Sequence, residues 1–132
     1  MDEQIQPDLQ QRLDRLSQVA GEEFGYLTTF GRKTGTPHEI EIWFAIAGGK
    51  LYMLSGGRDA SDWVKNILAN PEASMRIGDQ AFAGMARIVT SATEEDDLAR
   101  RLLDGKYEGW EPGKPLSDWA RTALPVAVDP TP

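Results

Sequence analysis

The chain has 132 residues, 40% of them hydrophobic and 27% charged, which suits one water-soluble domain with a proper core. It has no cysteine and one histidine, so disulfides, thiolate metal sites, cysteine nucleophiles and any site needing two histidines are excluded. A net charge of −7 disfavours a nucleic-acid backbone as partner, and no apolar run approaches the length of a membrane span.

The N-terminus, MDEQIQPDLQ, is acidic rather than basic-then-apolar, so no signal peptide is visible and a cytoplasmic protein is expected. Leu9, Leu13, Leu16 and Ala20 recur at helical spacing and predict a helix over 8–20, with Pro7 in its first turn and Gly21 at its end. A β-prone run over 24–30 then stops at Gly31-Arg32-Lys33-Thr34-Gly35. Two glycines bracket two cations and a hydroxyl. Such a loop can turn tightly and present backbone N–H groups beside positive charge, as phosphate binding requires. The same residues also read as a hairpin connection with solvated charges.

After the loop, Ile40, Ile42 and Phe44 alternate with Glu41, Trp43 and Ala45, predicting a half-buried strand over 38–47. Gly48-Gly49 predicts a hairpin turn and 50–55 its returning strand. Ser55-Gly56-Gly57-Arg58-Asp59 then feeds a helix near 60–69, with Trp63, Ile67 and Leu68 on one side and a stop at Asn70-Pro71. A helix N-terminus attracts anions, so two anion-capable loops flank one hairpin and are expected to converge. Strands are predicted over 72–77 and 80–90, with Gly78-Asp79 as their turn. Thr93 opens a helix to about Leu103, with Leu98, Leu102 and Leu103 as its stripe and Gly105 closing it. Lys106 to Pro115 is punctuated by glycine and proline and predicts a surface loop. A short helix over 117–122 and a strand over 124–128 complete the chain. The expected organisation is one domain, 1–132, with an N-terminal helix over 8–20 and a helical and loop segment over 93–122.

The ordered set Thr28-Thr29-x-Gly31-Arg32-Lys33-Thr34-Gly35, hairpin, Ser55-Gly56-Gly57 and Trp63-x-x-Asn66-x-x-Ala69-Asn70-Pro71 resembles the split β-barrel oxidoreductases that use flavin or deazaflavin. Within them it is similar to the deazaflavin-dependent nitroreductase branch, over roughly 24–89. The resemblance implies a mainly β, FMN-binding-like split barrel of about six strands with peripheral helices. It implies a reductase using coenzyme F-420, an 8-hydroxy-5-deazaflavin, with a quinone, activated alkene or nitro compound as hydride acceptor. This chain has His38 where the branch usually carries arginine and Gly56 where it often carries lysine. Arg58 is expected to supply the missing charge.

On this reading Arg32, Lys33, Thr34, Gly35, His38, Ser55, Gly56, Gly57, Arg58 and Trp63 bind the cofactor. Ser55 or Tyr107 is the proton source, and Tyr107 and Trp110 line the substrate pocket. No metal is expected. Each residue also has a plainer reading: Ser55 as a strand-end serine, Trp63 as core, Thr34 as turn support, and Tyr107 and Trp110 as loop packing. Three other functions stay open at this level: FMN as cofactor, a non-catalytic carrier of an apolar ligand, and haem binding through His38. A small-molecule substrate and a homodimer are the expected partners, because a split barrel leaves a sheet edge that needs cover.

Overall fold

A computed structural model describes residues 6–131, with side chains described from residue 9. Helix α1 (Gln6–Val19) leads into β1 (Gly25–Phe30), β2 (Pro37–Ile42), β3 (Ala45–Ala47) and β4 (Lys50–Ser55). A 3-10 turn (Arg58–Ala60) precedes α2 (Asp62–Ala69), and β5 (Glu72–Ile77) and β6 (Gln80–Ile88) follow. Helices α3 (Glu94–Tyr107) and α4 (Asp118–Thr122) lead to the last strand, β7 (Leu124–Pro130). No described helix is long and apolar enough to cross a membrane.

The strands form one seven-stranded antiparallel sheet in the order β2-β1-β5-β6-β7-β4-β3. β2 and β3 are consecutive in the chain yet hold opposite edges, with only Trp43 and Phe44 between them. Three Cα steps of ~3.8 Å reach at most ~11 Å. The two edges are therefore drawn together, and the sheet curls into a barrel whose seam is the Trp43–Phe44 link.

That seam corrects the expectation of one strand over 38–47 and about six strands. β2 pairs with β1 and β3 pairs with β4, so one continuous strand has to serve two edges, and it breaks where it changes partners. Nothing in the Trp43–Phe44 pair, which carries no glycine or proline, announces the break.

Inside the barrel Leu27, Met75, Ile77, Phe82, Leu51, Met53, Val126 and Val128 pack with Phe44. α1 contributes Leu16 and Val19 to this core, and α2 contributes Val64 and Ile67. A second cluster lies on the other face of β4 and β7, where Tyr52, Leu54 and Ala127 meet Ala99 and Leu103 of α3 and Ala120 of α4. β4 and β7 are thus buried on both faces, whereas β5 and β6 alternate between buried and exposed. Ala81, Ala83 and Met85 stay exposed although β6 lies in the interior of the sheet.

Two helical stripes differ from expectation. Leu68 is 62% exposed and Leu98 41% exposed, because Asn66 and Ile67 take the buried face of α2 and Ala99 and Leu103 that of α3. α3 also runs through Gly105 to Tyr107 instead of stopping near Leu103. A glycine in a helix costs only about 1 kcal/mol relative to alanine. Beyond it the Asp104 carbonyl accepts from Glu108 N–H (2.8 Å) and Trp110 N–H (3.1 Å), and the Asp104 carboxylate accepts from Ser117 N–H and Oγ (2.8 and 2.6 Å). These bonds settle the helix end after Tyr107. Thr93 caps the start, its Oγ1 accepting from Asp96 N–H at 3.1 Å.

A polar clamp ties α3 to the sheet. The Arg87 guanidinium donates twice to Glu95 (2.7 and 2.7 Å) and twice to Asp129 (2.7 and 3.1 Å), and Tyr52 Oη donates to Glu95 at 2.7 Å. The Arg87 bonds hold the Glu95 carboxyl down at about 2. Burial, then the bond to Glu95, push the Tyr52 hydroxyl up.

Candidate functional site

A cleft of about 730 Å³ opens where the 31–36 loop and β2 face the start of α2. It is lined by Arg32, Lys33 and Thr34 from the loop, His38 and Glu39 from β2, and Asp62, Trp63 and Asn66 from α2, among others. The loop is a closed turn. Gly31 N–H donates to the Thr36 carbonyl and Gly35 N–H to the Gly31 carbonyl, both at 2.8 Å. Gly35 has a φ of 73°, left-handed backbone that favours glycine. A Cβ on Gly31 would stand 3.1 Å from both His38 Nε2 and Thr34 Oγ1, so glycine there lets the ring of His38 close over the loop. Thr34 serves the turn: its Oγ1 donates to Thr36 Oγ1 (2.8 Å) and accepts from Thr36 N–H (3.2 Å).

Asn66 fixes this loop to α2. It is 5% exposed. Its Oδ1 accepts from Arg32 N–H (3.3 Å) and Arg32 Nη1 (2.9 Å), and its Nδ2 donates to Thr29 Oγ1 (3.2 Å). Arg32 Nη2 reaches Asp62 Oδ1 at 3.3 Å. The N–H groups of Lys33 and Thr34 and the Lys33 ammonium have no partner among the described residues. The N-terminus of α2 has no side-chain cap either, because Ser61 Oγ bonds Ser55 Oγ (2.8 Å) instead. Free N–H groups, an unpaired ammonium and a helix N-terminus thus face one opening, a donor set that suits a phosphate. Trp63 is half-buried; it lines this cleft and also packs on the inner core.

The other sequence-derived candidates lie elsewhere. Gly56 and Gly57 are exposed and do not line the cleft. Arg58 takes a φ of 54° and turns away, its Nη1 donating to the Thr122 carbonyl at 2.6 Å. The expected convergence is therefore between the 31–36 loop and the first turn of α2, without the Gly56–Arg58 stretch. Ser55 is 2% exposed, and its Oγ donates to the Arg58 carbonyl at 2.8 Å. It pins the following loop rather than presenting an open hydroxyl.

Tyr107 ends α3 instead of sitting on a loop. Its Oη accepts from Phe44 N–H (3.0 Å) and donates to the Glu23 carbonyl (2.6 Å), so the proton expected for chemistry is committed to the backbone. Burial pushes this hydroxyl up. Next to it the Lys106 ammonium donates to the Ala20 and Phe44 carbonyls (3.1 and 3.0 Å), and burial pushes its pKa down. Trp110 is held by its indole N–H on the Lys114 carbonyl (2.7 Å), with Arg101 over its ring. It lines neither the cleft nor the stack at Tyr107.

Sequence reasoning did not place Trp43, Asp62 or Asn66 among the candidate site residues. Trp43 is 42% exposed at the seam and stacks on Tyr107, with Trp119 edge-on at 5.4 Å. A tryptophan at an outward-facing position of the 40–44 alternation is the signal that could have marked it. Asn66 was findable as a polar residue on the apolar face of its helix.

Solved structures with this fold define the class. A candidate pyridoxamine 5'-phosphate oxidase from Listeria innocua is 17% identical, with a TM-score of 0.67 over 92% of this chain and 94% of that one. A chain described as a domain-swapped dimer is 22% identical, with a TM-score of 0.64 over 93% and 98%. An F420-H2 dependent reductase is 25% identical, with a TM-score of 0.62 over 80% and 93%. The fold is the split barrel. The family model described as F420H(2)-dependent quinone reductase matches residues 7–130. The chain belongs to this family: it is an oxidoreductase whose cofactor is coenzyme F-420.

Proposed function

We propose that the 31–36 loop binds the phosphate-bearing tail of coenzyme F-420 and that the protein reduces a small electron-poor acceptor, a quinone first among them. The observation that carries this is the open donor set around Lys33: its own ammonium and N–H, the Thr34 N–H and the uncapped start of α2, with the Arg32 guanidinium, paired with Asp62, beside them. Lys33 acts as a point charge and Arg32 as a planar fork, both suited to phosphate oxygens. Gly35 lets the loop close behind the phosphate, and His38 borders it from β2. Trp63 offers a flat wall to the cofactor. When bound in its reduced form, the deazaflavin supplies the hydride.

The acceptor lies against the exposed face of Trp43. β2 runs from the cleft toward Trp43, and three residues past Ile40 is ~10 Å along a strand, within reach of an elongated cofactor. Tyr107 backs that platform and keeps it in place, which gives it a positioning part. With the Tyr107 hydroxyl donating to the Glu23 carbonyl, water delivers the proton on this reading.

We also assign a homodimer and a cytoplasmic location. Supporting the dimer, Ala81, Ala83 and Met85 expose an apolar face on an interior strand, and the edge strand β2 is left open. The acidic, cysteine-free sequence supports the location.

Mixing the protein with reduced coenzyme F-420 and each acceptor class, without oxygen, tests the function. Fluorescence of the oxidised deazaflavin should return fastest with a quinone. Return with none of the quinone, activated alkene or nitro acceptors would overturn it.

A further inference from the structure

The cleft that faces Lys33 also holds carboxylates, Asp62 on α2 and Glu39 on β2. Asp62 is the informative one. Its Oδ1 stands 3.3 Å from Arg32 Nη2, and its side chain is 86% exposed. Arg32 is anchored from behind by Asn66, which takes both its N–H and its Nη1. The remaining face of the guanidinium is the one that meets Asp62. A phosphate on the loop needs that same face.

We propose that Asp62 is an internal counter-anion for Arg32 and sets cofactor affinity by competing with the phosphate. This rests on the phosphate-loop reading. In the free protein the carboxylate keeps the guanidinium paired. When phosphate arrives, the Asp62 side chain swings to solvent, which costs little because it is already largely exposed and needs no repacking. Asn66 keeps Arg32 in place during the exchange. Asp62 therefore lowers affinity without shaping the chemistry, and its removal should tighten binding.

Exposed ion pairs are worth about 0.2–1 kcal/mol, which converts to roughly a 1.4- to 5-fold change in affinity. The test is fluorescence titration of coenzyme F-420 against wild type, Asp62→Asn, Arg32→Ala and the double variant. Asp62→Asn should bind about two- to five-fold more tightly than wild type at low salt, and the gain should shrink as salt screens the pair. In the Arg32→Ala background the same change should have no effect. Unchanged or weaker binding by Asp62→Asn, while Arg32→Ala binds poorly, would overturn the counter-anion and leave the phosphate loop standing. A gain that persists without Arg32 would also overturn it, assigning the effect to the field of the carboxylate. Wild-type affinity in Arg32→Ala would instead remove the phosphate-loop reading beneath it. The melting temperature of Asp62→Asn controls for its place in the first turn of α2: a stability role moves melting and leaves affinity alone.

Discussion

Trp43 and Tyr107 lie face to face, their ring centroids 4.3 Å apart and their planes 2° from parallel. The pair sits where the chain crosses from one sheet edge to the other. Tyr107 holds that crossing through Phe44 N–H and the Glu23 carbonyl, and Lys106 holds it through the Phe44 carbonyl. The aromatic platform and the closure of the barrel thus share one anchor.

Tyr107→Phe should therefore act on stability before chemistry. The stack survives, but Phe44 N–H and the Glu23 carbonyl lose a partner, at about 1–2 kcal/mol. In a domain of this size that lowers the melting temperature by roughly 3–8 °C. Turnover should fall less than about tenfold. A hundredfold loss of turnover at unchanged melting temperature would make the hydroxyl a catalytic group.

The Arg87 clamp should govern acid stability. The folded-state pKa of Glu95 lies at about 2, below its ordinary 4.5, so the unfolded chain binds this proton first. Its stabilisation is fully present above about pH 4.5 and is lost as pH falls toward 2. Glu95→Gln should melt lower than wild type at neutral pH, and the difference should narrow below pH 4.5. A difference that stays constant down to pH 2 in thermal unfolding would contradict this role.

Asn66→Ala should damage both fold and site. It strips Arg32 of its anchor and leaves the buried Thr29 hydroxyl without its donor. About 1–3 kcal/mol of stability should be lost, read by urea unfolding. Cofactor affinity should also drop several-fold. Full affinity in the folded variant would show that Arg32 needs no anchor.

For the dimer, light scattering should give twice the chain mass of 14.6 kDa. Ala83→Glu, which puts a charge on the exposed face of β6, should give the single-chain mass with little change in melting. A wild-type monomer at micromolar concentration would refute the assembly.

Local features were legible in the sequence. The Gly31–Gly35 loop, the Gly48–Gly49 turn with φ of 58° and 77°, and the Thr93 cap are each specified within a few neighbouring residues. The partner change at Trp43–Phe44 was not, because it follows from barrel closure and leaves the alternation of residues 40–44 intact. Arg58 misled for a similar reason. Its place beside two glycines suggested an anion loop, but its partner is Thr122, 64 residues on. The same distance problem hid the Arg32–Asn66 bond, which joins positions 34 apart. Ser55 and Tyr107 carry hydroxyls that sequence reading left free for chemistry; burial and backbone partners claim both.

The central claim is that the 31–36 loop holds the phosphate of coenzyme F-420. Titration calorimetry of the cofactor against wild type, Lys33→Ala and the double variant Arg32→Ala/Lys33→Ala tests it most directly. A charge-assisted bond to phosphate is worth about 1.5–3 kcal/mol, so Lys33→Ala should weaken binding about ten- to a hundred-fold, with little change in the melting temperature of the free protein. The double variant should weaken it further. Wild-type affinity in the folded double variant would contradict the account.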